Sequence, residues 1–312
     1  MSSRPTESEM SIGQPRSATQ CILPDSKVKA LAREWLAEDC ASFDFGGMVV
    51  GNKTAKAQLL CKSPGVLAGV PFFDAVFREL GCIVTWHYHE GDSFVNDEHN
   101  KFQRVKIATV CGPIKNILLG ERPALNVLSR SSGVATQCKK YIARAKEKGW
   151  KGRIAGTRKT TPGFRLVEKY SLVVGGADTH RYDLASMVML KDNHIWSTGS
   201  IENSVKKVLS LASFTTKVEV ECQNIDEGLE AAAAGAHVVM FDNQMPEELK
   251  RSAKRLKEIY PQVIIECSGG VDEQNIEEYF GDDIDVISTS KLVQGYPCVD
   301  FSLKILKDSI SD

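Results

Sequence analysis

No apolar run in this chain approaches the roughly 20 residues that a membrane-crossing helix needs, and Met1 to Gln20 lacks the apolar core of a signal peptide. A transit peptide is disfavoured by Glu7 and Glu9, so the Ser-, Thr- and Arg-rich residues 1–22 are expected to form a flexible extension. The chain also lacks a C-x-x-C pair. Its nine cysteines stand singly, which argues against a zinc or redox site and for reduced, buried thiols in a cytoplasmic protein. Net charge is nearly absent too: the formal value of -1 excludes a general nucleic-acid or polyanion binder, so any basic site must be local. No membrane partner is expected either.

What is there is enough sequence for more than one domain: 312 residues, 42% hydrophobic. Val28, Leu31, Ala32, Trp35 and Leu36 recur at helical spacing behind a cap at Asp25 or Ser26, and Asp44 to Gly51 ends that helix. Lys56–Cys61, Val66–Gly69, Cys82–His89 and Phe102–Val110 read as strands, with the helical run PFFDAVFREL between Pro71 and Gly81. In HYHEGD, His87, His89 and Asp92 can be drawn as a metal site, but a strand end and turn explains them better. Ile114 to Lys148 predicts two or three helices, interrupted at Gly120. Within it, the spacing of Arg122 is that of a surface residue paired with Glu121.

After Trp150 strands and helices alternate regularly. The predicted strands are Lys151–Gly156, Ser186–Lys191, Lys217–Cys222, His237–Asp242, Val263–Ser268 and Asp285–Thr289; helices are clearest at Ile201–Ala212, Asp226–Ala234, Pro246–Tyr260 and Asp272–Phe280. This pattern predicts an α/β fold, an incomplete TIM-like β/α barrel with an N-terminal α+β (open sandwich) domain. An open doubly wound sheet is the competing arrangement, although no G-x-G-x-x-G follows the first strand. The expected division is a 23–128 α+β domain with linking helices, joined by the C-terminal 296–312, and a 129–295 barrel, with Cys298–Leu303 returning as a strand to the first unit.

In a barrel the carboxyl ends of the strands share one mouth. Here they carry Arg158, Lys159, Arg165, His180, Arg181 and Lys191, which would repel one another without a multiply charged anion among them. GTRKTTPGFR, Gly156 to Arg165, concentrates these cations on a loop turned by Pro162 and Gly163. KVEVEC places Glu219 and Glu221 on one strand face and HVVMFDN ends in Asp242; such carboxylates beside phosphates suit Mg²⁺, although the glutamates can also simply neutralise lysines. CSGG and STS supply Ser268, Gly269, Gly270, Thr289 and Ser290, the backbone donors of a phosphate cradle. Phosphoribosyl pyrophosphate plus an acidic heterocycle fits this combination.

GTRKTTPGFR, GGADTHRYDLASMVMLKDNH, KVEVEC, MFDN and ECSGGV together resemble the quinolinate phosphoribosyltransferases, or carboxylating nicotinate-nucleotide pyrophosphorylases, over about Ser26 to Leu306. The resemblance implies transfer of phosphoribosyl to quinolinate with Mg²⁺ as cofactor, releasing pyrophosphate and CO2 and leaving nicotinate mononucleotide for NAD synthesis. It implies that Arg158, His180 and Arg181 bind the quinolinate carboxylates, with Lys159 and Lys191 helping and contacting the diphosphate. Glu221 and Asp242 carry over to metal and ribose, and Ser268 and Gly269 to the 5′-phosphate. Lys159, Lys191, Glu221 and Asp242 are the implied catalytic set. Arg122 would enter a neighbouring subunit's site, so a homodimer is the minimum and a hexamer the larger option. Many members have a glycine at the position of Ser290 and a histidine at that of Gln294. The rival readings are a Schiff-base lyase using Lys191, a non-catalytic metabolite-binding protein and a nicotinate-using transferase.

Overall fold

The computed structural model describes residues 22–95 and 102–311. Most of the expected extension, together with Cys21, lies outside the described residues. The N-terminal part runs α1 (Asp25–Asp39), α2 (Phe45–Val50), β1 (Thr54–Cys61), β2 (Gly65–Val66), α3 (Val70–Glu79), β3 (Ile83–Trp86), β4 (Ser93–Phe94) and β5 (Val105–Pro113). Helix α1 starts after Pro24 with no side-chain cap, so Asp25 sits in its first turn and neither expected residue caps it. The Asp44 to Gly51 stretch is itself a short helix, capped by the Asp44 carboxylate on the Gly47 amide.

Then follow α4 (Ile114–Glu147), β6 (Arg153–Ala155), α5 (Arg165–Val174), β7 (Val188–Leu190), α6 (Asp192–Thr198), α7 (Ile201–Leu211), β8 (Val218–Cys222), α8 (Ile225–Ala233), β9 (Val238–Asp242), α9 (Pro246–Ile259), β10 (Ile264–Ser268), β11 (Val286–Ser288) and β12 (Phe301–Ile305). Instead of two or three helices, α4 is one helix of 34 residues. Gly120 does not break it: a Cβ there would lie 2.8 Å from Phe77 and Leu80, so the glycine admits α3 rather than ending the helix. Pro123 sits buried inside α4. An interior proline costs about 3 kcal/mol or more. Burial offsets that cost, since α4 contributes Ile117, Leu125 and Leu128 to the N-terminal core and Val134, Cys138 and Tyr141 to the second core. The predicted Asp272–Phe280 helix is likewise corrected, to a single 3-10 turn at Ile276–Tyr279, because the Asp272 side chain holds the preceding backbone in a turn through the amides of Gln274 and Asn275.

The N-terminal sheet is antiparallel in the order β12-β1-β5-β3, with β12 beside β1. Phe72, Phe73 and Phe77 of α3 fill its core. The second sheet is parallel, in the order β6-β11-β10-β9-β8-β7. Each strand pairs with its successor except β6 with β7, while β6 and β11, first and last, are paired. The six strands thus have the cyclic order of a barrel with one seam left open. Asp178 partly fills that seam through a parallel bridge to Ala155.

Candidate active site

Alternation along the parallel strands sets the inner layers. On β8, Glu219 and Glu221 share a face; on β10, Glu266 and Ser268 do, with Ser268 in register with Asp242 of β9. At the carboxyl ends, the Lys191 ammonium donates to Glu221. Asp242 stands close enough to Glu221 that burial and then this neighbouring negative charge raise its carboxyl, with Lys191, an Asn243 hydrogen bond of 2.6 Å and Lys159 pulling the other way. Lys159, Lys191, Glu221 and Asp242 therefore form one electrostatic group, as two carboxylates and two ammoniums around one mouth.

The loop after β6 brings Arg158 to the same end. Among the described residues its buried Nε has no hydrogen-bond partner, and Arg158 repels Arg181 and Lys169. A buried guanidinium nitrogen left without a partner among other cations is costly unless an anion completes it. Arg165 points back instead, its Nε donating to Thr160 Oγ1 at 3.2 Å, and so props the loop.

The segment beside the seam carries His180 at φ 54°, a left-handed conformation uncommon for a residue with a side chain. Its Nδ1 accepts the Arg181 amide at 2.7 Å, which puts the ring proton on Nε2, and Nε2 reaches both Glu266 oxygens at 3.1 Å. Neither ring nitrogen is free for a ligand in this arrangement, and the side chain is only 8% exposed. Glu219 lies 3.8 Å from the same nitrogen, completely buried, and among the described residues neither of its oxygens has a hydrogen-bond partner. Burial first, then the Glu266 charge, push its carboxyl up to about 9. His180, Glu219 and Glu266 have the compactness of a metal site. The tautomer argues against one, because a ring nitrogen that holds a proton has no lone pair to give. The Arg181 guanidinium is tied to the base of β7 through the Met187 carbonyl at 3.3 Å.

On the far side of this cluster a cavity of about 900 Å³ opens between the amino ends of the strands, near Arg153, Met187, Lys217, Val238 and Ile264. His180, Arg181, Glu219 and Glu266 also line it, whereas Lys159, Lys191, Glu221 and Asp242 do not and stand at the carboxyl ends of the strands.

The residues expected to cradle a phosphate stand at the ends of β10 and β11. Gly269 and Gly270 take φ 86° and 66°, and a Cβ on Gly269 would fall 2.3 Å from Asn243 Oδ1. The Ser268 hydroxyl accepts from Ser288 at 3.2 Å. Thr289 caps the short turn Ser290–Leu292 and donates its hydroxyl to Val271. Arg122 lies apart from these residues, exposed on α4 beside Glu121.

The family model described as quinolinate phosphoribosyl transferase, N-terminal domain, matches residues 41–132, and its C-terminal counterpart matches residues 134–304. The chain belongs to the quinolinate phosphoribosyl transferase family. A Rattus norvegicus protein named nicotinate-nucleotide pyrophosphorylase (carboxylating) is 51% identical over 286 residues, covering 92% of this chain and 93% of the relative. The Homo sapiens protein of that name is 47% identical over 290 residues, covering 93% and 95%. Among solved structures, NadC from Streptococcus pyogenes superposes with a TM-score of 0.81 at 31% identity, over 91% of this chain and 99% of that one. The nicotinate-nucleotide pyrophosphorylase from Francisella tularensis gives 0.81 at 31%, over 91% and 98%. In this family member the incomplete barrel with its N-terminal α+β unit is the observed fold.

Reasoning from sequence left out the buried Glu266 and Glu168 and gave the buried Lys169 no role. Glu266 was findable, since alternation in VIIECS places it on the inner face with Ser268. Glu168, and the anchoring role of Lys169, were not. Both lie on α5, a helix that follows the Pro162-Gly163 turn directly and went unpredicted.

Proposed function

We propose that this chain transfers the phosphoribosyl group of phosphoribosyl pyrophosphate to quinolinate with loss of CO2, giving nicotinate mononucleotide for NAD synthesis. One observation carries the reading: a loop presenting Arg158, with its buried and unpartnered Nε, faces the Lys191–Glu221 pair and Asp242 across a single mouth. Arg158 and Arg181 suit the two adjacent carboxylates of the pyridine, and Lys159 and Lys191 the departing diphosphate. His180 serves this pair from below, holding the Arg181 backbone through Nδ1 and fixing itself on Glu266. The amides around Ser268, Gly269, Gly270, Thr289 and Ser290 suit the 5′-phosphate.

Chemically, the pyridine nitrogen attacks the anomeric carbon as its bond to the diphosphate oxygen breaks, and pyrophosphate leaves with that electron pair. The ring nitrogen is now cationic. The carboxylate beside it departs as CO2, and the electron pair left on carbon takes a proton from solvent. Lysines already placed at the diphosphate stabilise charge where it develops, and seating both reactants aligns nitrogen with carbon. Glu221 and Asp242 are hard oxygen donors whose mutual repulsion a divalent cation would relieve, so these two residues fit Mg²⁺. When bound, the ion would neutralise charge on the diphosphate.

The assay is consumption of quinolinate with and without phosphoribosyl pyrophosphate and Mg²⁺. Consumption only when all three are present is expected; turnover of nicotinate at equal efficiency would overturn the assignment of paired carboxylate-binding arginines, since a missing carboxylate leaves one cation unpaired. Arg122, exposed on α4, is proposed to act in the neighbouring subunit of a homodimer or larger ring in the cytoplasm.

A further inference from the structure

We infer that Glu168 and Lys169, adjacent on α5, are positioning residues that set the separation of the two arginine-bearing segments and thereby the preference for a dicarboxylate. This rests on the quinolinate reading above.

The observations are geometric. Glu168 is fully buried and Lys169 is 2% exposed, a rare state for charged side chains unless they are fully partnered. Neither forms an ion pair with another described residue. Each reaches the backbone of one segment, and Glu168 also has Tyr296 as a hydrogen-bond partner and feels the Arg130 charge. The Glu168 carboxylate accepts the Thr161 amide at 2.9 Å and its hydroxyl at 2.8 Å, three residues beyond Arg158. The Lys169 ammonium donates to the carbonyl of Thr179 and, at 3.2 Å, to that of Arg181 itself. Successive helix residues point about 100° apart, so neighbours can reach segments that diverge from one another. Holding Lys169 there is unfavourable: burial and the charges of Arg165, Arg158 and Arg181 lower its ammonium to about 8. An apolar side chain would fill the same space without that cost, whereas only a donor can fix the 179–181 backbone. The helix itself is anchored, with Val167 and Tyr170 in the N-terminal core and Leu172 in the barrel core.

The test compares KM for quinolinate and for phosphoribosyl pyrophosphate, and the quinolinate-to-nicotinate preference, in Glu168→Gln and Lys169→Met. A hydrogen bond to a charged group contributes about 1.5–3 kcal/mol, so KM for quinolinate should rise roughly tenfold or more, with KM for phosphoribosyl pyrophosphate held within about twofold and the dicarboxylate preference reduced. A parallel rise in both KM values, or no change in either, would sink the inference. If either variant fails to melt cooperatively, Thr161→Val and Thr161→Ser decide: Val should raise KM for quinolinate and Ser should restore it, and equal behaviour of the two overturns the role. Inactive wild-type protein would instead defeat the proposed reaction, so the two failures remain distinct.

Discussion

Gly269 turns the chain at φ 86° against Asn243, whose Oδ1 would lie 2.3 Å from any Cβ and whose backbone nitrogen would lie 2.8 Å away. Gly269→Ala must therefore displace backbone at the proposed phosphate cradle, and the expected result is a KM for phosphoribosyl pyrophosphate raised by about tenfold, checked by steady-state kinetics at saturating quinolinate. A second residue, remote from the mouth, makes a pH prediction. Glu90 accepts the Gly69 amide at 2.7 Å and the Val70 amide at 3.0 Å, capping α3. Burial pushes its carboxyl up to about 7 from an ordinary 4.5, against those bonds and with Asp74 adding repulsion and Tyr170 beside it. Because the folded-state value is the higher one, the folded protein binds the extra proton between these values, and the stability it brings is present below pH 4.5 and lost as pH rises through 7. Glu90→Gln removes that dependence. Across this window the melting temperature of wild type relative to the variant should fall by roughly 3–6 °C, read from paired thermal melts; parallel curves would show that Glu90 does not titrate there.

At the scale of elements, α4, like the shorter α5, contributes to both cores, and the chain returns across it before β12. Gly133 marks the contact: a Cβ there would stand 2.6 Å from the Pro297 carbonyl and 2.8 Å from Tyr296. Gly133→Ala, which would favour an isolated helix, is expected to destabilise the protein by about 1–3 kcal/mol through overpacking, measurable as a lowered denaturant midpoint. The same helix shows what could be read from sequence. Short apolar-rich runs bounded by turn residues located β8, β9 and β10 within a residue of their observed ends, because each is largely buried on both faces. Gly120 misled, since local propensity carries no knowledge of α3 arriving there. α5 was hidden behind Pro162-Gly163, and Glu168 with it, because a buried glutamate on an amphipathic helix looks like a solvated one until its partner loop is known. The cation cluster was legible because charge is not averaged away by packing. His180 was legible as a member and not as to direction: only coordinates place both ring nitrogens on internal partners.

For the whole molecule, a shared site makes a quantitative prediction. Arg122→Ala chains and Arg158→Ala chains should each be inactive alone, and a reassorted equal mixture should recover about a quarter of wild-type activity, since half the dimers are mixed and each mixed dimer keeps one intact site. Activity no greater than that of the separate variants would count against a site shared between subunits. The open seam of the barrel has a consequence of its own. A closed ring of strands has its girth set by its own ladder of hydrogen bonds, whereas here, among the described residues, β6 and β7 do not pair and the Asp178 bridge reaches only β6. Arg158 stands on one lip of that gap and Lys191 on the other. A substrate gripped by both would act as the missing rung, so the girth of the barrel becomes a quantity that occupancy determines rather than one the chain settles for itself.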